Sequence, residues 1–498
     1  KALQRRNHVL KRIYEEGMIS IETMNDAVSQ PLGVAWHEYP VYAPHLAMRW
    51  KENIKISGSL QTTLDGRLQE QIEERLPQYL KQFDNQINNA AVMVVDTKSG
   101  EVLARAGSAN FNDARIRGQV DICRAPRAPG SALKPFVYAL AMKENLLYPT
   151  ETLLDTTLDW GVYNPANFDG TFSGLVSAGE ALRWSLNIPA IQVQNRVGVP
   201  ETIGFLRALG LDTLNRSTES YGLGLVLGNC EVRLESLVEA YLTLARLGEH
   251  IPLRLTKEQS HPQPERVLSE GIALALWNMM EQPFPDEPWT NLVRIGDRTT
   301  RVCWKTGTST GYHDAWAVAF NCHYVVGVWI GNSDGRASNR LVGAYAALPL
   351  AAQVFRSLPV PPEPDWPQSD GRLVETELCA ETGLPKSPWC NATVKGWLPR
   401  EQYLHRRCDV HRPGKDGEIV ACWPGTSYKW DLARVPNITA QPVLAETTQH
   451  TGTATTDRQQ KELDIISPAN NATYILTGDS QGDRIILKAS RNTMPLHW

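Results

Sequence analysis

The sequence lacks the features that would place it in a specialised class of protein. No apolar run reaches about 18 residues, so no helix is expected to span a membrane. The net charge of −4 gives no electrostatic case for nucleic acid as a main partner. With 42% apolar and 21% charged residues, the 498-residue chain is not collagen-like, coiled-coil or wholly disordered. We expect a globular protein of two or three domains.

Cysteine is sparse except in one stretch near the C-terminus, which holds four of the eight cysteines: Cys379, Cys390, Cys408 and Cys422. Four clustered cysteines indicate two disulfides or one all-cysteine zinc site. No Cys-x-x-Cys pair is present, and the spacing is loose for zinc. The sequence therefore favours disulfides, with proximity suggesting Cys379–Cys390 and Cys408–Cys422, and leaves zinc and free thiols open. Disulfides would indicate an oxidising, extracytoplasmic compartment.

The apolar pattern ahead of a proline-rich boundary predicts a mixture of helices and strands. Residues 1–34 predict two short helices, with Ser20 capping the second. Residues 35–58 have poor periodicity and predict a linker or irregular strands. The other predicted helices are residues 59–90, 131–146, 233–248 and 344–357, and the predicted strands are residues 90–96, 101–107, 302–306, 315–320 and 324–330.

The sequence changes character at the proline-rich boundary, residues 358–367. The cysteine-bearing segment follows it. Residues 436–462 are rich in Thr and Gln and predict a flexible tether. Three short strands are then predicted, at residues 463–467, 473–477 and 484–489. Three strands make a poor domain, so we expect the chain to stop inside a β-sandwich.

A serine and a lysine at the start of a predicted helix form the first candidate site. Pro129-Gly130 precede Ser131-Ala-Leu-Lys134, and residues i and i+3 share a helix face, so Ser131 and Lys134 can meet. A serine hydroxyl needs a neighbouring base to act as a nucleophile. A lysine can be that base where burial and nearby cations lower its pKa. Alone, such a match is more often an ordinary helix surface.

Two further segments carry polar groups suited to the same chemistry. In Ser185-Leu-Asn187 the hydroxyl can relay a proton and the amide can hold a substrate amide, although a helix-end cap would also explain them. In the second segment Lys305 would supply a fixed cation, and Gly307 would let a substrate backbone approach. The hydroxyls suited to a carboxylate are those of Thr306, Thr308 and Ser309. A strand that runs into a turn is the plainer interpretation of this segment.

Taken together, the three segments resemble the signature of penicillin-binding proteins and serine β-lactamases, Ser-x-x-Lys, Ser-x-Asn and Lys-Thr-Gly in that order. The likeness extends over residues 59–357, through His313-Asp-Ala-Trp and Val328-Trp-Ile-Gly. The chain as a whole resembles a bifunctional class A penicillin-binding protein. The run Cys379-Ala-Glu-Thr-Gly and the closing Ile465-Ile-Ser-Pro-Ala are similar to the penicillin-binding protein 1C subfamily.

The resemblance implies an α+β fold, with a penicillin-binding transpeptidase domain at residues 59–357 built as an antiparallel sheet flanked by helices. Residues 1–34 are similar to the end of a family 51 glycosyltransferase domain, with residues 35–58 as a linker. Residues 358–462 would be a proline-rich, cysteine-containing and flexible linker region, and residues 463–498 the start of a truncated C-terminal β-sandwich. Because the chain opens on Lys1 without a signal peptide, we expect a fragment. Its membrane anchor and glycosyltransferase site would lie upstream, and it would act at the periplasmic face of the bacterial inner membrane.

The family's mechanism, carried onto the matching positions, implies a role for each motif residue. Ser131 would attack the penultimate D-Ala carbonyl of a peptidoglycan stem peptide, and Lys134 would take its proton. Ser185 would protonate the leaving amine, Asn187 would hold the substrate amide, and Lys305 would shape the local field. The backbone N–H groups of Ser131 and Thr308 would form the oxyanion hole. Thr306 and Thr308 would bind the terminal carboxylate, in a substrate-binding segment completed by Gly307 and Ser309.

The partners implied are a stem-peptide donor, an amine acceptor that resolves the acyl-enzyme into a cross-link, and β-lactam antibiotics, with further cell-wall-synthesis proteins as candidates. The resemblance implies no cofactor, no metal and no nucleic acid. Trp304 departs from the small residue that many relatives carry before the lysine, and it is expected to narrow the groove.

Two alternatives remain open at this point. With water as the acceptor, the same site would make a DD-carboxypeptidase or a β-lactam-hydrolysing enzyme, which release of D-Ala without a cross-linked product would favour. A catalytically weak scaffold or sensor with the same fold is the second alternative, because a fold does not determine a function. Intact motifs weigh against the second alternative.

Overall fold

The computed structural model describes residues 2–32, 41–53, 59–157, 165–260, 263–285, 292–295, 298–362, 364, 366–403, 405–414, 416–423, 465–467 and 488–489. The chain forms two compact units, Lys1–Ala440 and Gln441–Trp498. Among the described helices, none combines the length and the apolar character needed to cross a bilayer.

The helices of the first unit follow one another through most of its length. They are α1 Ala2–Glu15, α2 Ile21–Ser29, α3 Pro44–Asn53, α4 Gly66–Leu80, α5 Lys134–Lys143, α6 Ala178–Arg183, α7 Asn187–Val197, α8 Val199–Ala208, α9 Thr218–Tyr221, α10 Leu234–Ala245, α11 Glu270–Met280, α12 Gly343–Ala346 and α13 Leu348–Ser357.

The strands of the first unit include one large sheet and several short hairpins. They are β1 Asn89–Asp96, β2 Val102–Ala106, β3 Thr152–Asp155, β4 Gly174–Ser177, β5 Glu249–His250, β6 Glu265–Arg266, β7 Leu292–Ile295, β8 Arg298–Arg301, β9 Cys303–Thr308, β10 Asp314–Phe320, β11 Tyr324–Gly331, β12 Leu373–Cys379, β13 Thr393–Pro399, β14 His411–Pro413 and β15 Ile419–Ala421.

The large sheet is antiparallel throughout and has the strand order β2-β1-β11-β10-β9. Because side chains alternate between the faces of a strand, β10 contributes to two separate cores. Trp316, Val318 and Phe320 pack in a core with α5, α10 and α11. Ala317 and Ala319 pack on the other face in a core with α4 and α13. Helices cover both faces, which confirms the predicted α+β architecture of an antiparallel sheet flanked by helices.

Most of the predicted elements of this unit are present. The two short N-terminal helices are α1 and α2, and the Ser20 hydroxyl accepts the backbone N–H of Thr23 at 3.1 Å, as a capping residue does. The strands predicted at residues 90–96 and 101–107 are β1 and β2, which pair as a hairpin, and the three strands predicted between residues 302 and 330 are β9, β10 and β11.

Several predicted elements differ from the structure. The helix predicted at residues 59–90 is the shorter α4, and the helix predicted at residues 344–357 is divided into α12 and α13. Helix α3 lies within the stretch predicted as a linker or irregular strands, and it begins at Pro44, a residue that the first turn of a helix tolerates. The predicted amphipathic helix at residues 131–146 is instead a 3₁₀ turn, Gly130–Leu133, followed by α5. Helix α5 is buried from Lys134 to Met142 because it lies inside the helical layer, so an exposed polar face is absent.

The cysteine-bearing stretch is more ordered than the linker that the sequence predicts. Strands β12 and β13 pair as a hairpin, and β14 pairs with β15. A small core that includes Leu378, Leu398 and Val410 packs around Tyr148. The Gln402 Nε2 atom donates to the backbone oxygens of Met142 and Leu147, both at 2.8 Å. We call residues 366–423 the cysteine module.

The second unit contributes two described strands, β16 Ile465–Ser467 and β17 Lys488–Ala489, which pair antiparallel. They fall within the predicted strands at residues 463–467 and 484–489. The predicted tether at residues 436–462 and the predicted strand at residues 473–477 lie outside the described residues.

Candidate active site

The turn that carries Ser131 packs closely against the last residues of β9. Gly130 has φ +55°, a conformation that glycine adopts without steric cost. A Cβ atom at Gly130 would lie 2.3 Å from the carbonyl oxygen of Thr308. The backbone of Thr308 therefore lies beside the residue that precedes Ser131. An oxyanion hole made of the backbone N–H groups of Ser131 and Thr308 requires this proximity.

Gly307 lies where β9 packs against the Ser131 turn, a contact that the sequence does not suggest. A Cβ atom there would lie 2.0 Å from the Pro129 carbonyl oxygen and 3.2 Å from the Ala132 Cβ atom. The space beside Gly307 is thus filled by the Ser131 turn. The close approach of the strand and the turn therefore requires glycine at this position, and the role of Gly307 toward a substrate backbone stays a prediction.

The Gly307→Ala variant is expected to push the Ser131 turn away from β9. We expect a loss of about 1–3 kcal/mol of stability from overpacking, together with a marked fall in the acylation rate. Gly204→Ala is a matched control, since a Cβ atom at Gly204 in α8 would meet nothing within 4 Å. Thermal unfolding and penicillin-labelling rates of the two variants check this. Equal labelling rates in both would contradict the close approach.

Lys134 is fully buried and its side-chain nitrogen faces the loop between α6 and α7. Its Nζ atom lies within hydrogen-bond distance of three oxygen acceptors: the Ser185 carbonyl at 2.6 Å, the Asn187 Oδ1 atom at 2.8 Å and the Leu186 carbonyl at 3.1 Å. It also lies 3.5 Å from the Ser185 Oγ atom. The structure therefore brings together the first two predicted motifs, although they are far apart in the sequence.

Lys305 joins the same cluster from β9. Its Nζ atom donates to the Ser185 Oγ atom at 2.7 Å, and its side chain is 2% exposed. Ser185 has φ +62°, a left-handed conformation that is uncommon for residues other than glycine and is often found at functional sites. The Ser185 hydroxyl consequently lies between two lysines, and its own proton is left available for donation.

The electrostatics of the cluster favour a neutral Lys134. Burial, and then the positive charge of Lys305, lower the pKa of Lys134 well below its ordinary value. Burial also lowers the pKa of Lys305 to about 7. Three oxygen acceptors near Lys134 would suit an ammonium group, but burial beside a second cation outweighs them. A neutral amine can satisfy two of these acceptors and keep a lone pair to accept a proton.

Acylation of this site is expected to follow a bell-shaped pH profile. Lys134 must be neutral to accept a proton, so the rate should rise with pH through its lowered pKa. Loss of the Lys305 charge should lower the rate above about pH 7. In Lys305→Met the repulsion is removed, so the pKa of Lys134 rises and the acid limb moves to higher pH. Labelling rates across a pH series check this, with the exposed Lys98→Met as control, and an unmoved acid limb would count against the coupling.

The Ser131 hydroxyl itself remains accessible. Ser131 is half-buried, and its hydroxyl makes no hydrogen bond with the described part of the chain, including either lysine. Catalytic contacts of this kind are often long before a substrate binds. The predicted pair Ser131 and Lys134 therefore shares one turn, while the direct hydrogen bond between their side chains is absent from this state.

The residues after Lys305 differ in what they offer a ligand. Thr306 is half-buried, and the Thr308 Oγ1 atom accepts the backbone N–H of Gly343 at 2.9 Å. Ser309 is 4% exposed, and its hydroxyl accepts the backbone N–H groups of Asp314 at 2.8 Å and His313 at 3.1 Å. These contacts close the β9–β10 turn, so the geometry favours a structural role for Ser309 over the carboxylate contact expected from the sequence.

Trp304 does not narrow the site as the sequence suggests. Neighbouring residues of a strand point to opposite faces, and Trp304 packs against the core on the α4 and α13 side of the sheet. Its indole Nε1 atom donates to the Pro283 carbonyl at 3.1 Å. Lys305 points to the other face, so the Trp304 indole lies on the opposite side of the sheet from Lys305.

Two positioning residues, Asp155 and Asn167, belong to none of the three sequence motifs. The Asn167 Oδ1 atom accepts the backbone N–H of Asn187 at 2.8 Å. Asn167 Nδ2 donates to both carboxylate oxygens of the fully buried Asp155, at 2.8 and 2.9 Å. They hold the start of α7 in place. No spacing signal in the sequence connects them to Asn187, because the contact depends on how the β3–β4 hairpin folds back.

Comparison with known proteins gives independent information about the chain. The family model "Penicillin binding protein transpeptidase domain" matches residues 90–356, which contain all of the motif residues above. Penicillin-binding protein 1C of Escherichia coli is 37% identical over 424 residues, covering 84% of this chain and 48% of the relative. Penicillin-binding protein 1B of Vibrio cholerae is 25% identical over 403 residues, covering 74% and 50%.

A solved structure shares the fold. The crystal structure of penicillin-binding protein 1A from Haemophilus influenzae superposes with a TM-score of 0.62 at 16% identity, covering 80% of this chain and 82% of that one. The chain spans about half the length of the two curated relatives that it matches, 48% and 50%.

Proposed function

The chain belongs to the class A penicillin-binding proteins, and on that premise we propose that it is a peptidoglycan DD-transpeptidase that cross-links stem peptides through an acyl-enzyme on Ser131. The observation that carries this proposal is the buried cluster of Lys134, Ser185 and Lys305 beside the Ser131 turn. Burial and the neighbouring charge of Lys305 lower the pKa of Lys134, which gives the site a neutral amine able to accept the Ser131 proton.

Acylation would begin when a D-Ala-D-Ala stem peptide lies along β9. Neutral Lys134 takes the Ser131 proton as the Oγ atom attacks the penultimate carbonyl. The backbone N–H groups of Ser131 and Thr308 stabilise the oxyanion. Ser185, which accepts a hydrogen bond from Lys305, passes its own proton to the leaving D-Ala amine and recovers a proton from Lys134, which becomes neutral again. Lys305 and the hydroxyls of Thr306 and Thr308 hold the terminal carboxylate, and the Asn187 amide holds the substrate backbone.

Deacylation would then use an amine of a neighbouring stem peptide. The amine attacks the ester carbonyl and gives a proton to neutral Lys134. Lys134 returns that proton to the Ser131 oxygen as the C–O bond breaks and the peptide cross-link forms. A β-lactam would mimic the D-Ala-D-Ala end and leave a slow acyl-enzyme on Ser131.

The wider protein would be a bifunctional cell-wall synthase with an upstream glycosyltransferase domain, of which residues 1–34 are the end. We place its action at the periplasmic face of the bacterial inner membrane, with other cell-wall-synthesis proteins as candidate partners. The transpeptidase domain would span residues 59–357 after a linker at residues 35–58. Residues 358–462 and 463–498 would be the connecting region and the start of a β-sandwich.

The acceptor is tested by supplying the chain with glycan strands that carry pentapeptide stems and analysing muropeptides by mass spectrometry. Cross-linked dimers with release of D-Ala, absent in Ser131→Ala, support a transpeptidase. Free D-Ala with tetrapeptide monomers and no dimers would instead support a carboxypeptidase. If neither product forms and β-lactams fail to label the chain, the scaffold or sensor alternative is favoured.

A further inference from the structure

Four side chains of the cysteine module converge on one point far from the motif residues in the sequence. The ligand atoms of Cys379, Cys390, Cys408 and His411 all lie within 4.8 Å of one another. The His411 Nδ1 atom is 3.4 Å from the Cys379 sulfur and 3.3 Å from the Cys408 sulfur. In tetrahedral zinc sites, with Zn–S of about 2.3 Å and Zn–N of about 2.0 Å, neighbouring ligand atoms lie about 3.5–3.8 Å apart. The two His411 distances are close to that geometry, and the four ligand atoms, all within 4.8 Å of one another, would need only a small contraction to reach it.

We propose that Cys379, Cys390, Cys408 and His411 bind one zinc ion in a closed structural site. Three thiolates and one imidazole form a recognised tetrahedral set for zinc, and soft sulfur ligands disfavour magnesium and calcium. The site takes no part in the acylation chemistry, so the absence of a metal from the proposed mechanism is unaffected. Sequence spacing suggested no such site because its ligands include a histidine and lack a Cys-x-x-Cys pair.

The hairpin and the segment after it deliver the ligands. Cys379 ends β12 and Cys390 lies in the loop that leads to β13, while Cys408 and His411 lie together at the approach to β14. The backbone N–H of Cys408 donates to the Pro385 carbonyl at 2.8 Å, which holds the second pair of ligands against the hairpin loop. The zinc ion would thus join two separate segments of the module.

The surroundings of the cluster have the features of a metal site's outer shell. The Glu381 carboxylate lies 3.3 Å from the His411 Nε2 atom. A carboxylate on the far ring nitrogen fixes the tautomer and aims the other nitrogen at a metal. The backbone N–H of Ser387 is 3.3 Å from the Cys390 sulfur, where it would donate to a thiolate. Cys379, Cys408 and His411 are at most 4% exposed, so water would not compete for the ion.

The small core of the module is the kind that a cross-link stabilises. Its core is a short set of buried residues around Tyr148, and modules of this size rarely hold their fold without disulfides or a metal. Three cysteines at a single point can form one disulfide at most. One cysteine and His411 would then have no role in the cross-link. Cys422 lies outside this group, and neither of the suggested pairings, Cys379–Cys390 and Cys408–Cys422, is formed in the structure.

The loop between the proposed zinc ligands Cys379 and Cys390 also contacts the transpeptidase domain. The backbone N–H of Thr152 donates to the Thr382 carbonyl at 2.9 Å, and the hydroxyls of Thr150 and Thr152 donate to the carbonyls of Gly383 and Glu381 at 2.6 and 2.7 Å. Thr152 begins β3, which ends at Asp155. Loss of the ion should therefore loosen the start of β3 and lower the thermal stability of the chain.

The test measures metal in the full chain, purified without chelator, by inductively coupled plasma mass spectrometry. We expect about one zinc per chain in the parent and in Cys422→Ser, the matched control, and none in Cys408→Ser or His411→Ala. Cobalt-substituted protein should show the visible bands of tetrahedral, thiolate-bound Co²⁺. Because the ligand variants may fail to fold, Glu381→Gln provides a milder change, with zinc affinity expected to fall about 10–100-fold.

Several results would overturn the site. Peptide mass mapping that finds a disulfide within Cys379, Cys390 and Cys408, and no bound metal, would replace zinc with a covalent cross-link. A folded parent with three free thiols and no affinity for zinc or cobalt would leave the cluster without a ligand. Equal zinc content in Cys422→Ser and in a folded Cys390→Ser would remove Cys390 from the set. None of these results bears on the labelling of Ser131, so failure of the site and failure of the proposed function are distinguishable.

Discussion

Replacing Ser131 with alanine is expected to abolish covalent labelling of the chain by fluorescent penicillin, with the fold unchanged. The hydroxyl is half-buried and makes no hydrogen bond within the described chain, so its removal leaves no partner unsatisfied. The proposed nucleophile is lost altogether, and we expect a fall of about 10⁴-fold or more in the acylation rate. No other described hydroxyl occupies the turn that faces Lys134 and Thr308.

Labelling with gel detection, followed by peptide mass mapping of the adduct, checks this prediction. Ser99→Ala is the matched control, because Ser99 follows Lys98 in a Lys-Ser-Gly turn that only imitates the motif and its hydroxyl bonds locally to Asp96. Thermal unfolding shows whether both variants keep the parent fold. An adduct that maps to another residue, or that persists in Ser131→Ala, would remove Ser131 from the mechanism.

Replacing Lys134 should have the second largest effect, a fall of about 10²–10⁴-fold in acylation, the range expected for loss of a general base. The side chain is fully buried and its nitrogen donates to the oxygens of Ser185, Leu186 and Asn187. Lys134→Ala leaves these groups without a donor, and each unsatisfied buried group costs about 1–3 kcal/mol. The variant is therefore expected to be less stable as well as slow.

Lys134→Met separates the two effects, because it retains most of the side-chain volume and removes the amine. Acylation rates are measured by stopped-flow fluorescence at several pH values, beside thermal unfolding. We expect both variants to lose the acid limb of the pH profile that neutral Lys134 produces. A folded Lys134→Met protein that acylates at the parent rate would show that another group takes the proton.

Local patterns in the sequence were sufficient for most of the elements. Short continuous apolar runs predicted β1, β10 and β11, and helical periodicity predicted α4 and α10, because burial on one or both faces of an element leaves a local pattern. The motif residues were also recognisable, since Ser131, Asn187 and Lys305 each stand at a fixed offset within a short segment. The motifs by themselves indicated the family and the reaction class.

Contacts between distant segments could not be predicted in this way. The pKa of Lys134 is lowered by burial and by Lys305, and both depend on how α5 packs against β9. Gly307 makes room for the Ser131 turn, and Ser309 closes a turn of the backbone. The sequence assigned both residues to the substrate because spacing carries no information about which face of a strand is already covered.

The sequence by itself determined the chemistry: a serine, two lysines and an amide in an order that suits acyl transfer, on elements whose periodicity is local. The tertiary structure alone decided which of these groups touch, how far their pKa values move, and that three cysteines and His411 meet at one point. The physical reason is the separation along the chain over which each effect acts. Periodicity and turn preference act over a few neighbouring residues, whereas desolvation, charge repulsion and metal geometry depend on atoms that the fold brings together from distant parts of the chain.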